Sequence, residues 1–80
     1  MSAVAGLVFV TAKGAVPRVA ARLATEEGLV LQGGDGDAQI AAVWEGESAE
    51  GLEALAARLM AADADLLGVF PTYFGEDEER

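Results

Sequence analysis

Apolar and polar positions along the chain fall into six segments that alternate between two periods. From Val4 to Ala12 (VAGLVFVTA) the run is apolar, β-branched and aromatic, too short and too glycine-interrupted for a buried helix, and it predicts a central strand. Lys13 and Gly14 then turn the chain, and Pro17 suits the first turn of a helix, where its missing N–H is not needed. Val16, Val19, Ala20 and Leu23 recur at helical spacing while Arg18, Arg22 and Glu26 point elsewhere, so an amphipathic helix is predicted to end at Gly28. Leu29 to Gln32 reads as a short strand. Gly33-Gly34-Asp35-Gly36-Asp37 is dense in residues that tolerate positive φ and predicts a hairpin turn.

Gln39 to Glu45 (QIAAVWE) is the third strand. Ser48 then stands where a helix cap is wanted, with Glu50 and Glu53 near the positive end of the helix dipole and Leu52, Leu55, Ala56 and Leu59 as the buried stripe. Ala61 to Asp65 ends this helix, and Leu66 to Phe74 (LLGVFPTYF) is the fourth strand. Pro71 has no N–H for a strand ladder, which confines that strand to a sheet edge. Strand-helix-strand-strand-helix-strand predicts an α+β, ferredoxin-like βαββαβ sandwich, a four-stranded antiparallel sheet in the order 4-1-3-2 with two helices on one face. Residues 1–75 make one such domain, and 76–80 are an acidic C-terminal tail.

Two helices on one face leave the other face open. Alternate side chains of a strand point oppositely, so the third strand divides into Ile40, Ala42 and Trp44 against Gln39, Ala41, Val43 and Glu45, and the set with polar ends is the outer one. The same reasoning turns Val8, Val10, Val69 and Tyr73 toward the helices and sets Leu7, Phe9, Thr11, Phe70, Thr72 and Phe74 on the open face. The expected surface is then an apolar patch of Leu7, Phe9, Ala41, Val43 and Phe70, rimmed by Thr11, Thr72 and Glu45. A parity slip of one residue in the first strand would instead bury Leu7 and Phe9. Contiguous exposed apolar patches mark interfaces.

Composition narrows the partners. Eighty residues suit one domain, which at this size buries only about 60% of its unfolded surface. A hydrophobic content of 52% is far above that of a disordered acidic segment, so a core is expected despite the net charge of -9. Fourteen acidic residues against five basic ones repel phosphate backbones and anionic lipid surfaces and attract a basic peptide, although such a charge also serves solubility alone. No basic residue precedes the first apolar run, and no run reaches the roughly 18 apolar residues of a membrane span. The expectation is a cytoplasmic protein that inserts into no membrane.

The chain has neither His nor Cys, which removes the commonest general base, the imidazole and thiolate metal ligands, and thiol nucleophiles. No enzyme activity, metal or cofactor is therefore expected. Glu45 and Glu47, like Asp63 and Asp65, lie near element ends, where solvated caps explain them. Asp35-Gly36-Asp37 lacks the further ligands of a calcium loop and fits the hairpin turn. Families of the same layout are also tested by residue. The Cys pair of a metallochaperone is missing, the catalytic Asn of an acylphosphatase has no counterpart because the chain has no Asn, and an RNA-recognition module needs a basic surface. A binding module remains.

Three segments carry a resemblance that spans nearly the whole chain: LVFVTAK from Leu7 to Lys13, AQIAAVWEGESAE from Ala38 to Glu50, and LLGVFPTYFGEDEE from Leu66 to Glu79. On these the chain resembles the NapD family, cytoplasmic chaperones for the twin-arginine signal peptide of periplasmic nitrate reductase. In that family the third strand commonly leads into a glutamate, an acidic residue and a helix-capping Ser or Asp, and Glu45, Glu47 and Ser48 occupy those places. Thr72-Tyr73-Phe74 stands where the family's last strand ends in a Val-Tyr-His-like triplet. Phe74 in place of His, Pro71 within the strand, and Gly14-Ala15-Val16-Pro17 in the first loop depart from the pattern.

The resemblance implies a ferredoxin-like monomer that holds a signal peptide as a helix on the open face, delaying export until the precursor has folded and received its cofactor. The peptide-binding residues would be Leu7, Phe9, Thr11, Ala41, Val43, Glu45, Phe70 and Thr72, with the peptide's arginines near Glu45 and either Glu47 or the acids of the tail, and a weak homodimer through the same face is the other use of that surface. The alternative is an amino-acid-sensing regulatory domain of the ACT or Lrp kind, acting as a dimer and using Gly14 or the Gly33–Gly36 turn at its ligand site.

Overall fold

The computed structural model of the chain describes residues 2–34 and 37–77. The elements follow in the order β1 (Ser2–Thr11), α1 (Val16–Leu23), β2 (Leu29–Gly34), β3 (Gln39–Gly46), α2 (Ala49–Ala62) and β4 (Leu66–Asp77). All neighbouring strands are antiparallel and the sheet order is β2-β3-β1-β4, the expected ferredoxin-like arrangement with β4 at an edge.

Each helix buries the stripe its spacing predicts. Val19 and Leu23 of α1 and Leu55 and Leu59 of α2 lie in the core, with Val16, Ala20 and Leu52 packed against it. They meet Leu29, Ile40, Ala42, Trp44 and Leu66 from the sheet. α1 stops at Leu23, well before Gly28, because the Thr25 hydroxyl donates to the Arg22 carbonyl (2.7 Å), and the Thr25 and Glu26 N–H groups bond back to Arg22 and Leu23. Gly28 still makes the turn into β2: its φ is +83°, and its carbonyl accepts the Glu45 N–H at 2.8 Å. Ser48 occupies the N-cap position of α2, but its side chain makes no capping hydrogen bond.

Two arginines tie the helix layer together. Arg18 on α1 grips Asp63 through both nitrogens (2.9 and 3.3 Å) and reaches Asp65 at 2.6 Å, while Arg58 on α2 holds Glu26 beyond the end of α1 at 2.7 Å. Asp63 and Asp65 are thus partners in a clamp, where solvated caps were expected, and the Asp63 side chain is only 6% exposed.

The parity expected for β1 is reversed. Leu7, Phe9 and Thr11 are buried on the helix side beneath Ala3 and Ala5 in the same row, Phe9 at 0% exposure. Both alternating sets of this central strand are apolar, so polarity could not tell them apart. Thr11, expected at the rim of the open face, is buried with its hydroxyl donating to the Ala12 carbonyl. Cross-strand partners share a face, and pairing decides the matter: Phe9 lies opposite Ile40, Leu7 opposite Ala42 and Ala5 opposite Trp44.

β4 departs from strict alternation as well. Leu7 pairs with Pro71 and Gly6 with Tyr73, which leaves Thr72 as the extra residue of a bulge. Past the bulge the sides exchange, so Tyr73 comes to the open face and Phe74 to the helix side, against expectation; Phe70 and Val69, before it, lie where alternation put them. The strand also continues through Gly75 into Glu76 and Asp77, paired with Ala3 and Ser2, so the ladder takes in two residues assigned to the tail. Asp35 and Gly36, at the tip of the expected hairpin turn, and residues 78–80 lie outside the described residues.

Candidate functional site

The open face is built from cross-strand rows that the register fixes. One row holds Ala41, Val8 and Phe70; the next holds Val30, Val43, Gly6 and Tyr73; a third holds Glu45, Val4 and Gly75; and Gln39, Val10 and Gly68 make the fourth. Val30 is 60% exposed, Phe70 57% and Tyr73 53%, while Val8, Val10, Ala41 and Val43 are half-buried between them. The two aromatic rings lie over glycines. A β-carbon at Gly6 would meet the Tyr73 ring and the Thr72 hydroxyl, and one at Gly68 would meet the Phe70 ring. The glycines therefore let both rings lie low along the sheet and make a continuous apolar shelf.

Of the residues expected here, Ala41, Val43, Glu45, Phe70 and Thr72 are brought together on the open face, whereas Leu7, Phe9 and Thr11 belong to the core. The places of those three are taken by Val4, Val8 and Val10, with Val30 and Tyr73 completing the surface. The signal for the valines was present in β1 as the second alternating set. The signal for Tyr73 was not, because it depends on the bulge.

Charge is distributed unevenly around the shelf. No Lys or Arg occurs in any of the four strands; the basic residues of the described chain are Lys13 in a loop, Arg18 and Arg22 on α1, and Arg58 on α2. Glu45 stands on the face at its Val4 end. There it lines a cavity of about 330 Å³ with Ser2, Val4, Gly75 and Glu76; a second cavity of about 610 Å³, with Glu27, Trp44, Glu47 and the start of α2, lies on the helix side of the same end of the sheet. Arg18 and Arg58 are engaged with Asp63, Asp65 and Glu26, so among the described residues no cation pairs with Glu27, Glu45, Glu47 or Glu76. At the opposite end, beside Gln39 and Val10, the loops carry Lys13 and Asp37, and the α2–β4 connection brings Asp63 and Asp65 alongside, with the Asp65 carbonyl accepting the Ala12 N–H at 2.8 Å.

In the helix layer, hydrogen bonds from the Arg18 guanidinium and from the Asp65 backbone N–H hold the Asp63 carboxyl below the usual carboxylate range, and Arg58 does the same for Glu26. These shifts belong to the clamps and lie away from the open face. On the helix side an apolar groove of about 320 Å³ runs between α2 and β4, lined by Leu52, Ala56, Val69, Pro71 and Phe74 with Leu7 at its floor. Among the described residues no helix is long and apolar enough to cross a membrane. No family model, no curated protein and no solved structure matches the chain, so the chemistry of the site rests on its geometry. That geometry offers an apolar shelf with the Glu45 carboxylate at one end, suited to a segment with an apolar stretch beside a cationic one.

Proposed function

We propose that the protein is a NapD-like cytoplasmic chaperone that binds the twin-arginine signal peptide of an exported redox enzyme, a periplasmic nitrate reductase on the family resemblance, along the open sheet face. It acts by binding and not by catalysis. Holding the leader keeps it from the export machinery until the enzyme has folded and received its cofactor. The observation that carries this reading is the union of an exposed apolar shelf (Val4, Val8, Val10, Val30, Val43, Phe70, Tyr73) with the unpaired Glu45 carboxylate at one of its ends.

The dimensions agree with such a ligand. Four strands spaced about 4.8 Å apart make a face about 14 Å wide, enough to seat one helix of about 10 Å diameter. Burying the apolar side of the leader supplies the attraction, and the Glu45 carboxylate together with the acidic net charge selects for its cationic head.

The test is calorimetric titration with a synthetic twin-arginine leader and with the same peptide carrying glutamine in place of both arginines. Binding that weakens on the substitution is expected. Absence of heat with either peptide at several temperatures would refute the reading, and dimerisation through the open face with binding of free amino acids would put the regulatory-domain alternative in its place.

A further inference from the structure

Resting on the reading of the open face as the leader's seat, we infer that Gly6 and Gly68 are positioning residues for leader binding, acting through the rings of Tyr73 and Phe70. Strand side chains ordinarily stand away from the sheet over their own positions. These two rings instead occupy the space above a neighbouring residue that has no side chain. A β-carbon at Gly6, the cross-strand partner of Tyr73, would collide with Tyr73 Cε2 and stand 2.6 Å from both Tyr73 Cδ2 and Thr72 Oγ1. One at Gly68, two residues before Phe70 on the same strand, would stand 2.6 and 2.9 Å from Phe70 Cε2 and Cζ. The nearest obstructing atoms at both sites belong to side chains, so an added methyl displaces a ring and leaves the backbone ladder in place.

This arrangement is particular to those two glycines. A β-carbon at Gly33, opposite Ala41 on the same face, would meet nothing within 4 Å, and one at Gly75 would meet only Val4 Cγ1 at 4.0 Å. Gly6 lies between Val4 and Val8 along β1 and between Val43 and Tyr73 across the sheet, and Gly68 lies opposite Val10. Both rings are thereby packed against the shelf while Tyr73 keeps 53% and Phe70 57% of its surface exposed to a ligand. A leader helix meets two rings already held in place, so less side-chain freedom is lost on binding. A methyl group at Gly6 would push the Tyr73 ring off the sheet and into the ligand's space.

The test is a double-mutant cycle read by calorimetric titration with the synthetic twin-arginine leader. Gly6→Ala should weaken the leader about two- to tenfold, the range of one aromatic contact, and Tyr73→Ala by at least about fivefold. In the Tyr73→Ala background the Gly6→Ala change should have no further effect, because the ring it displaces is gone. The same relation is expected between Gly68→Ala and Phe70→Ala, and that cycle decides where Gly6→Ala does not fold. With the leader bound to isotopically labelled protein, the ring protons of Tyr73, the only tyrosine of the chain, should show contacts both to the Gly6 α-protons and to the leader's apolar side chains. A role confined to filling the gap over a glycine in the sheet would move the denaturation midpoint and leave leader affinity unchanged. That result, an equal loss for Gly6→Ala with and without Tyr73, or a ring that leaves Gly6 when the leader binds, would overturn the inference while leaving binding on the sheet intact. Absence of leader binding by the unaltered protein would instead remove the reading beneath it and the inference with it.

Discussion

At the scale of single residues, Phe9 and Phe70 look alike in the sequence and have opposite fates. Phe9 is fully enclosed between the sheet and the helices, so Phe9→Ala should cost about 3–5 kcal/mol in a denaturant titration. A substitution of Phe70 by Glu, on the open face, should leave the unfolding midpoint nearly unchanged and abolish leader binding, as should Val43→Glu. An unfolded Phe70→Glu variant would show that the ring is part of the core. Gly51 gives a second residue-scale test. It lies within α2, and a β-carbon there would touch the Trp44 ring at an ordinary 3.6 Å. Gly51→Ala should therefore stabilise the protein by about 0.5–1 kcal/mol through helix propensity, read as a higher denaturation midpoint.

Between elements, the helix layer is held by Arg18 with Asp63 and Asp65 and by Arg58 with Glu26. Both Asp63 and Glu26 have their proton affinity lowered by these partners. A carboxylate whose folded pKa lies below its unfolded one adds stability that is fully present above the unfolded pKa. That stability disappears as pH falls through the folded value. The thermal midpoint should accordingly hold steady from neutral pH to about 5 and decline from about pH 4 downward. Asp63→Asn should lower the midpoint at neutral pH and show a shallower acid decline; an unchanged acid limb would mean that the Arg18 clamp carries no stability. The edge strand β4 adds a different device, since Pro71 and the bulge at Thr72 blunt an edge that would otherwise pair with another chain.

For the whole molecule, the separation of charge sets what the proposed function predicts about association. Every basic residue described lies in a loop or helix, and Arg18 and Arg58 are bound into clamps, so the strands present only neutral and acidic side chains. With a net charge of -9, association with a cationic leader should be fastest at low ionic strength and slow as salt is raised, whereas dissociation, set by the apolar shelf, should change little. Stopped-flow measurements across salt concentrations check this. Glu45→Lys should reduce affinity mainly at low salt, and an affinity indifferent to that change would remove Glu45 from the mechanism.

How much was legible beforehand differs between elements for physical reasons. The order of elements, the strand order, the helix stripes and the face of β3 follow from the sequence itself, because helical spacing, the Pro71 constraint and the polar ends of Gln39 to Glu45 are local signals. β1 has no such signal. It lies at the centre of the sheet with apolar side chains on both faces, so only its pairing, with Phe9 opposite Ile40 and Leu7 opposite Ala42, decides which set is covered by the helices. Tyr73 and Phe74 depended on a bulge created where β4 meets β1, and the engagement of Asp63 depended on α1 bringing Arg18 across the layer. The sequence by itself determined which segments form strands and helices and that one face carries no helix. Tertiary structure alone decided which residues occupy that face, because pairing register and side-chain packing are properties of strands in contact.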